Sequence, residues 1–307
     1  MNAKYFFTIF IPTYNRGYCL KDVVLSCENS TFKDFEVVLV DDGSSDNTAQ
    51  VVKELLESIS FPLRYIYQKN QGKHVAFNLA VEQAQSTLFV TLDSDDSLMP
   101  LGLEKIHSLW CSMSEDEQQA FVSIEFRCLE NGIASSAYPE PYLDSTYVGR
   151  RRVCSSKGEK RSAYRVDVLK EYPYPVVSSE RYCRPGLIDI RMSNHYKTRF
   201  SNIIAIDAGH FPDGIGANRR KVIVSAPHAY RQYFLEEITE HEAFSSKKDL
   251  RSFYLRYCRS SLNAGVGLKQ LFSEVPKKLL LLLVLPEAFV TSIADRRLKR
   301  KLIRARS

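Results

Sequence analysis

The sequence predicts an α/β fold: a mostly parallel sheet with helices on both faces, followed by a helical C-terminal region. Four strand-like apolar runs alternate with three segments of helix-like spacing in about the first 100 residues, an order that generates parallel strands. Phe35 to Val40 is too apolar to leave a wet face. Beyond Ala229 the periodicity becomes helical throughout. With 307 residues, 44% of them hydrophobic and 25% charged, the chain can bury a core, and its composition excludes disordered, collagenous and disulfide-stapled classes.

The first strand is Phe6 to Ile11, ended by Pro12, and Gly17 to Asn29 follows with Leu20, Val23, Val24 and Cys27 at helical spacing. Phe35 to Val40 is the second strand. The turn-and-cap cluster Asp41 to Asn47 leads from it into a helix over Thr48 to Ser58, with Val51, Val52, Leu55 and Leu56 as its apolar positions. Leu63 to Tyr67 is the third strand, Gln68 to Lys73 a turn, and His74 to Ala84 a helix with Ala76, Phe77, Ala80 and Val81 inward. Thr87 to Leu92 is the fourth strand and runs straight into Asp93, Ser94, Asp95 and Asp96. Such sheets bind ligands beyond the carboxyl ends of their strands. Thr13 to Arg16, Asp41 to Ser45, Asn70 to Lys73 and Asp93 to Asp96 are therefore expected to line one crevice.

After Glu117 the pattern mixes strand-like Ala120 to Leu129, a loop rich in Tyr, Pro and Ser through Tyr147, and a basic stretch from Arg150 to Arg161. No linker sets this region apart, so it reads as the second half of one domain. The helical third region contains Leu279 to Leu285, seven apolar residues between Pro276 and Pro286, far short of the roughly 20 needed to span a bilayer. Lys277 and Lys278 precede it and a basic tail follows. It reads as a helix lying in a membrane interface and drawn to anionic lipid; the alternative is a core helix with a solvated basic end.

The net charge of +6 is local: Asp295 to Ser307 holds seven Lys/Arg against one acid, and the rest of the chain is balanced. That suits a tail meeting an anionic surface and argues against a body shaped for nucleic acid. Seven widely spaced cysteines without a Cys-x-x-Cys pair, and the lack of a secretory pattern in Met1 to Phe10, point to free thiols and residence in the cytoplasm.

Three carboxylates within Asp93-Ser94-Asp95-Asp96 repel one another at a strand end, which is costly without a cation. Acids at i and i+2 can hold Mg²⁺ or Mn²⁺ through oxygen, the rest of the shell coming from phosphate; the plainer alternative is a solvated helix cap. Asp41-Asp42-Gly43-Ser44-Ser45-Asp46 combines acids that accept hydrogen bonds from a base or ribose with a glycine permitting close approach and residues that cap the next helix. Asn70-Gln71-Gly72-Lys73 opens a helix and brings positive charge and backbone N–H groups toward phosphate.

Together, Thr8-Ile9-Phe10-Ile11-Pro12-Thr13-Tyr14-Asn15-Arg16, Val38 to Thr48, Asn70 to Asn78 and Asp93 to Asp96 resemble, in order and spacing, the nucleotide-sugar-binding half of the family 2 glycosyltransferases, which have the GT-A fold. The resemblance implies 1–117 as the nucleotide-sugar half, 118–228 as the acceptor half and 229–307 as a helical region with a basic tail. It places Pro12, Thr13, Tyr14 and Arg16 along the nucleotide crevice, Asp42 on the base, Lys73 near base or diphosphate, and Asp93 and Ser94 at the ribose. Asp95 becomes the metal ligand, supported by Asp96, with His210 as a further candidate. UDP is the family's commonest nucleotide.

The implied chemistry is a single displacement at the anomeric carbon with inversion, assisted by Mn²⁺ or Mg²⁺, with a carboxylate as base. The family's usual Glu-Asp motif is replaced by Ser179-Glu180-Arg181-Tyr182; a subgroup is similar in carrying Gly-Glu-Lys-Phe there and an earlier Gly-Asp-Lys, matched by Gly158-Glu159-Lys160. Glu180 is the expected base and Asp189 the reserve. Pro212-Asp213-Gly214 resembles a later loop of the same subgroup. The expected acceptor is a cell-surface glycan precursor, free or lipid-linked, reached from the inner face of the membrane. The opposing reading is a membrane-associated scaffold that keeps the nucleotide site without catalysis, as Arg181 would permit. A sugar nucleotidyltransferase would need a glycine-rich basic loop where Pro12 to Arg16 stands, and no P-loop or dinucleotide-binding glycine motif occurs.

Overall fold

Five consecutive buried residues, Phe7 to Ile11, place β1 (Tyr5–Thr13) inside a sheet with both faces covered. The computed structural model describes residues 3–155, 157–209 and 219–304, in two compact units: Met1–Pro173 with Arg191–Phe211, and Tyr174–Ile190 with Pro212–Ser307.

The first unit follows β1 with α1 (Gly17–Glu28), β2 (Phe35–Asp41), α2 (Thr48–Leu56), β3 (Leu63–Tyr67), α3 (Lys73–Gln83), β4 (Ser86–Thr91), β5 (Ser97–Leu98), α4 (Gly102–Cys111) and α5 (Glu115–Ala120). Then come β6 (Phe121–Glu130), β7 (Ile133–Ala134), β8 (Tyr142–Ser145), β9 (Lys160–Arg165), α6 (Val166–Glu171) and β10 (Lys197–Ala208). The strand order is β3-β2-β1-β4-β9-β6-β10-β5, with β7 beside β6 and β8 beside β10.

The expected parallel arrangement holds for β3, β2, β1 and β4. The sheet then becomes mixed: β9 runs antiparallel to both β4 and β6, while β10 is parallel to β6. On one face Phe7, Ile9, Ile11, Val37, Leu39, Leu88 and Val90 share a core with Leu20, Val23 and Val24 of α1 and Leu103, Ile106 and Trp110 of α4. On the other, Phe10 and Phe89 meet Phe77 of α3, with ring centroids 5.9 and 5.2 Å apart. Glu36 is tolerated within β2 because Thr8 Oγ1, Gln85 N and Arg64 Nη2 donate to it at 2.7, 2.9 and 2.7 Å.

The second unit is helical: α8 (Arg219–Ser225), α9 (Pro227–Thr239), α10 (Lys247–Asn263), α11 (Leu268–Glu274) and α12 (Lys278–Arg304); α7 (Gly186–Met192) crosses the boundary between the units. α12 does not stop at Pro286 but continues through it. It buries Leu281, Val284, Ala288, Ser292 and Asp295, a helical stripe that packs on α10. Arg259 of α10 clasps Asp295 through two bonds of 2.6 Å. Among the described residues no helix is long and apolar enough to cross a membrane. None of the seven cysteines, all of them described, is in a disulfide, and five are buried.

Candidate functional site

The chain leaves β1 toward β2 and β3 on one side and returns to β4 on the other. β1 and β4 therefore flank the point where strand order reverses, where open α/β sheets hold ligands. The residues following these strands interlock. Asp42 N donates to the Thr13 carbonyl at 2.9 Å. Asn15, left-handed at φ 52°, donates from its backbone to Ser44 Oγ and accepts from Ser45 N, both at 2.8 Å. Gly17 N donates to Asp46, which also accepts from Thr48 N.

The turn after β3 joins the two acidic clusters. Asp42 accepts from Gln68 Nε2, Gln71 N and Gly72 N at 2.6, 2.8 and 2.7 Å, which uses three of a carboxylate's roughly four acceptor positions and leaves about one for a ligand donor. Asp41 is occupied separately, by Ser44 N and the Tyr65 hydroxyl. Gly43, at φ +86°, is required here: a Cβ would lie 2.7 Å from Asn70 N. At the other end of the turn Lys73 Nζ is paired with Asp93.

Arg161, reaching in from β9, bridges Asp93 and Asp96 at 3.3 Å each and also pairs with Glu159. Asp96 additionally accepts from Gly209 N at 3.1 Å. Burial pushes the Asp93 carboxyl up, but Lys73 and Arg161 outweigh it and hold the group below the usual range. The Asp95 carboxyl is pushed up, first by burial and then by the Asp93 charge. Burial, with the Asp93 and Asp95 charges behind it, also pushes the Asp96 carboxyl up, to about 7, against the pull of Arg161, so Asp95 and Asp96 both carry charge that their cationic neighbours only partly offset. That donor set fits a hard divalent ion held through one or two carboxylates, with phosphate oxygens completing its shell. The described residues contain no ready-made set of three ligands, and His210 lies outside them, as does Pro212 to Gly214.

The remaining predicted residues are placed as follows. The Thr13 hydroxyl is buried without a hydrogen-bond partner, a state that costs about 1–3 kcal/mol unless a ligand supplies one. Pro12 is half-buried and Tyr14 is half exposed. Arg16 donates to the Tyr18 hydroxyl at 2.8 Å. Ser94 is buried, and its carbonyl accepts from Cys19 Sγ at 3.2 Å. The structure thus gathers Thr13, Asp42, Lys73 and Asp93 to Asp96 into one bonded assembly. Glu180 and Asp189 belong to the second unit. There the Glu180 carboxylate accepts from His228 N at 2.7 Å and Ala229 N at 2.9 Å, capping the first turn of α9, while Asp189 is half-buried in α7. Arg161 was hidden within a basic stretch, where nothing in the local sequence distinguishes it from its neighbours.

The sequence model described as Glycosyl transferase family 2 matches residues 8–173. An uncharacterized glycosyltransferase of Haemophilus influenzae is 33% identical over 98 residues, covering 32% of this chain and 39% of that protein. A GalNAc(5)-diNAcBac-PP-undecaprenol beta-1,3-glucosyltransferase of Campylobacter jejuni is 34% identical over 94 residues, 30% of each. The chain spans well under half the length of these relatives. Among solved structures, S. aureus TarS 1–349 in complex with UDP-GlcNAc superposes with a TM-score of 0.59 at 19% identity, over 98% of this chain and 92% of the other. A mannosyltransferase from Pyrobaculum calidifontis in complex with GDP-Man and Mn²⁺ superposes at 0.58 with 15% identity, over 96% and 88%. Both are likenesses of fold.

Proposed function

Since this chain belongs to glycosyl transferase family 2, whose model matches more than half of it, we propose that it transfers a sugar from a nucleotide-sugar donor, UDP by first choice, to a hydroxyl of a cell-surface glycan precursor. The observation that carries this reading is the assembly of Asp93, Asp95 and Asp96 with Lys73 and Arg161 at the switch point of the sheet. Residues 1–117 form the donor side and 118–228 the acceptor side, with 229–307 as a helical extension. The name of the Campylobacter relative supports a lipid-linked acceptor, and with it work at the cytoplasmic face of a membrane.

In this reading Tyr14 stacks on the base, Thr13 and Asp42 use their remaining hydrogen-bonding capacity on the nucleoside, and Asp93 and Ser94 meet the ribose. Lys73, already beside the acids, draws in the diphosphate. Mn²⁺ or Mg²⁺ would be held by Asp95 with Asp96 beside it, and His210 as a further candidate, and would neutralise the charge growing on the departing diphosphate. The acceptor oxygen bonds to the anomeric carbon as the bond to the diphosphate oxygen breaks, inverting the centre, and its proton passes to a carboxylate. Glu180 is the proposed base, oriented by the α9 amides it caps, and Asp189 is the reserve.

Calorimetric titration with UDP, with and without Mn²⁺, tests the donor site. The expected result is metal-dependent binding lost in Asp95→Ala. Binding of GDP in place of UDP would change the nucleotide; binding of neither would overturn the reading. The carboxylate's existing task as a helix cap gives the inactive scaffold one point in its favour. Turnover separates the two readings: none in the parent protein with any nucleotide sugar would favour the scaffold. Loss of turnover in Glu180→Gln with UDP binding intact supports the base, and unchanged turnover removes Glu180 from that role.

A further inference from the structure

The apolar run in α12 divides into two faces. Leu281 and Val284 point into the helical unit, whereas Leu279, Leu282 and Leu283 are 78%, 51% and 74% exposed. The outer stripe continues past Pro286 to Phe289, Val290 and Ile293, all exposed, giving an apolar face about 21 Å long at 1.5 Å per residue. Exposed large apolar side chains in such a contiguous row mark a contact surface.

Charge identifies the occupant. The acids of α12 are Glu287 and Asp295, and each is bound to an arginine of α10: Glu287 to Arg251 at 2.8 Å and Asp295 to Arg259 at 2.6 Å. The stripe is bracketed by Lys278 at one end, Lys277 beside it being paired with Glu242, and by Arg297, Lys299, Arg300 and Lys301 at the other, all of these exposed. At 100° per residue Arg297, Arg300 and Lys301 continue the same outer face. Pro286, also exposed, has no N–H to give the Leu282 carbonyl, an oxygen better suited to a hydrated headgroup layer than to hydrocarbon.

We infer that the outer face of α12 docks on an anionic lipid surface, with Leu279, Leu282, Leu283, Phe289, Val290 and Ile293 entering the interface and the flanking lysines and arginines meeting the headgroups. This deepens the membrane placement proposed above and is independent of which nucleotide is bound.

The test is co-sedimentation of the full chain with phosphatidylcholine vesicles with and without phosphatidylglycerol, at low and high salt. Binding should require the anionic lipid and weaken with salt. It should fall by more than about tenfold both in Leu283→Glu/Val290→Glu and in Arg297→Glu/Arg300→Glu/Lys301→Glu. UDP titration of the same samples shows that the variants remain folded and leaves the donor-site reading separately assessed. Absence of vesicle binding by the parent protein, or equal binding by the variants, overturns the inference. So does a dimer, seen by sedimentation equilibrium without vesicle binding, that Leu283→Glu/Val290→Glu converts to monomer; the face would then belong to a second copy.

Discussion

Arg161 holds two carboxylates that would otherwise repel each other beside an already charged neighbour. Replacing it with Gln leaves partly buried negative charge without its partner, so urea unfolding should show a loss of about 3 kcal/mol. Gly209 is constrained by backbone: a Cβ there would fall 1.7 Å from the Asp95 carbonyl oxygen. Gly209→Ala should therefore displace the acidic loop, including Asp96, which accepts from Gly209 N, and abolish UDP binding in a titration, although Gly209 is not itself a proposed ligand. His74 supplies a pH signature. Burial, partly opposed by Asp42, holds its imidazole below the ordinary range, so the unfolded chain binds a proton more readily than the fold. Its contribution is complete above the unfolded value of about 6.5 and is lost as pH falls through and below it. Urea midpoints should drop between pH 7 and 5, and drop less in His74→Gln; equal drops would exclude His74 as a source. These three residues differ in how far sequence exposes them. His74 and the acids lie in short motifs at strand ends, while Arg161 reaches Asp93 from 68 positions away, a distance no local pattern spans.

Helix α9 begins with Pro227, which has no N–H, followed by two amides that Glu180 satisfies. Truncation to Ala exposes both as unpaired donors and should cost about 1 kcal/mol in thermal or urea unfolding. Gln retains an acceptor and should cost less, so a Gln variant that is stable yet inactive distinguishes chemistry from capping. The βα units of the first hundred or so residues were legible because each strand, turn and helix is encoded by contiguous residues with a clear period. α12 was legible in composition only: a run of seven apolar residues reads as one block, and the packing against α10 is what separates Leu281 and Val284 from Leu279 and Leu283. Pro286 also read as a bracket, yet the helix accommodates it on the exposed side, where the lost hydrogen bond can be replaced by water.

The sheet as a unit was foreseen where consecutive strands pair in parallel and missed where they do not. β9 is inserted between β4 and β6 with both neighbours antiparallel, and its sequence, Lys-Arg-Ser-Ala-Tyr-Arg, carries no signal for that partner choice. The loops from 131 to 159 were least legible because short strands and turns there depend on contacts far along the chain.

The placement of β9 bears on inheritance. A recombinant that took from this chain only the segment holding the four strand-end motifs would import Asp93 and Asp96 while leaving Arg161 behind, and would depend on the recipient for a guanidinium at that place. Shuffling between relatives is thus expected to succeed when the crossover falls after Arg165 and to fail before Lys160. Chimeras built at the two junctions and compared for soluble yield would reveal which stretch of the gene travels as one heritable block.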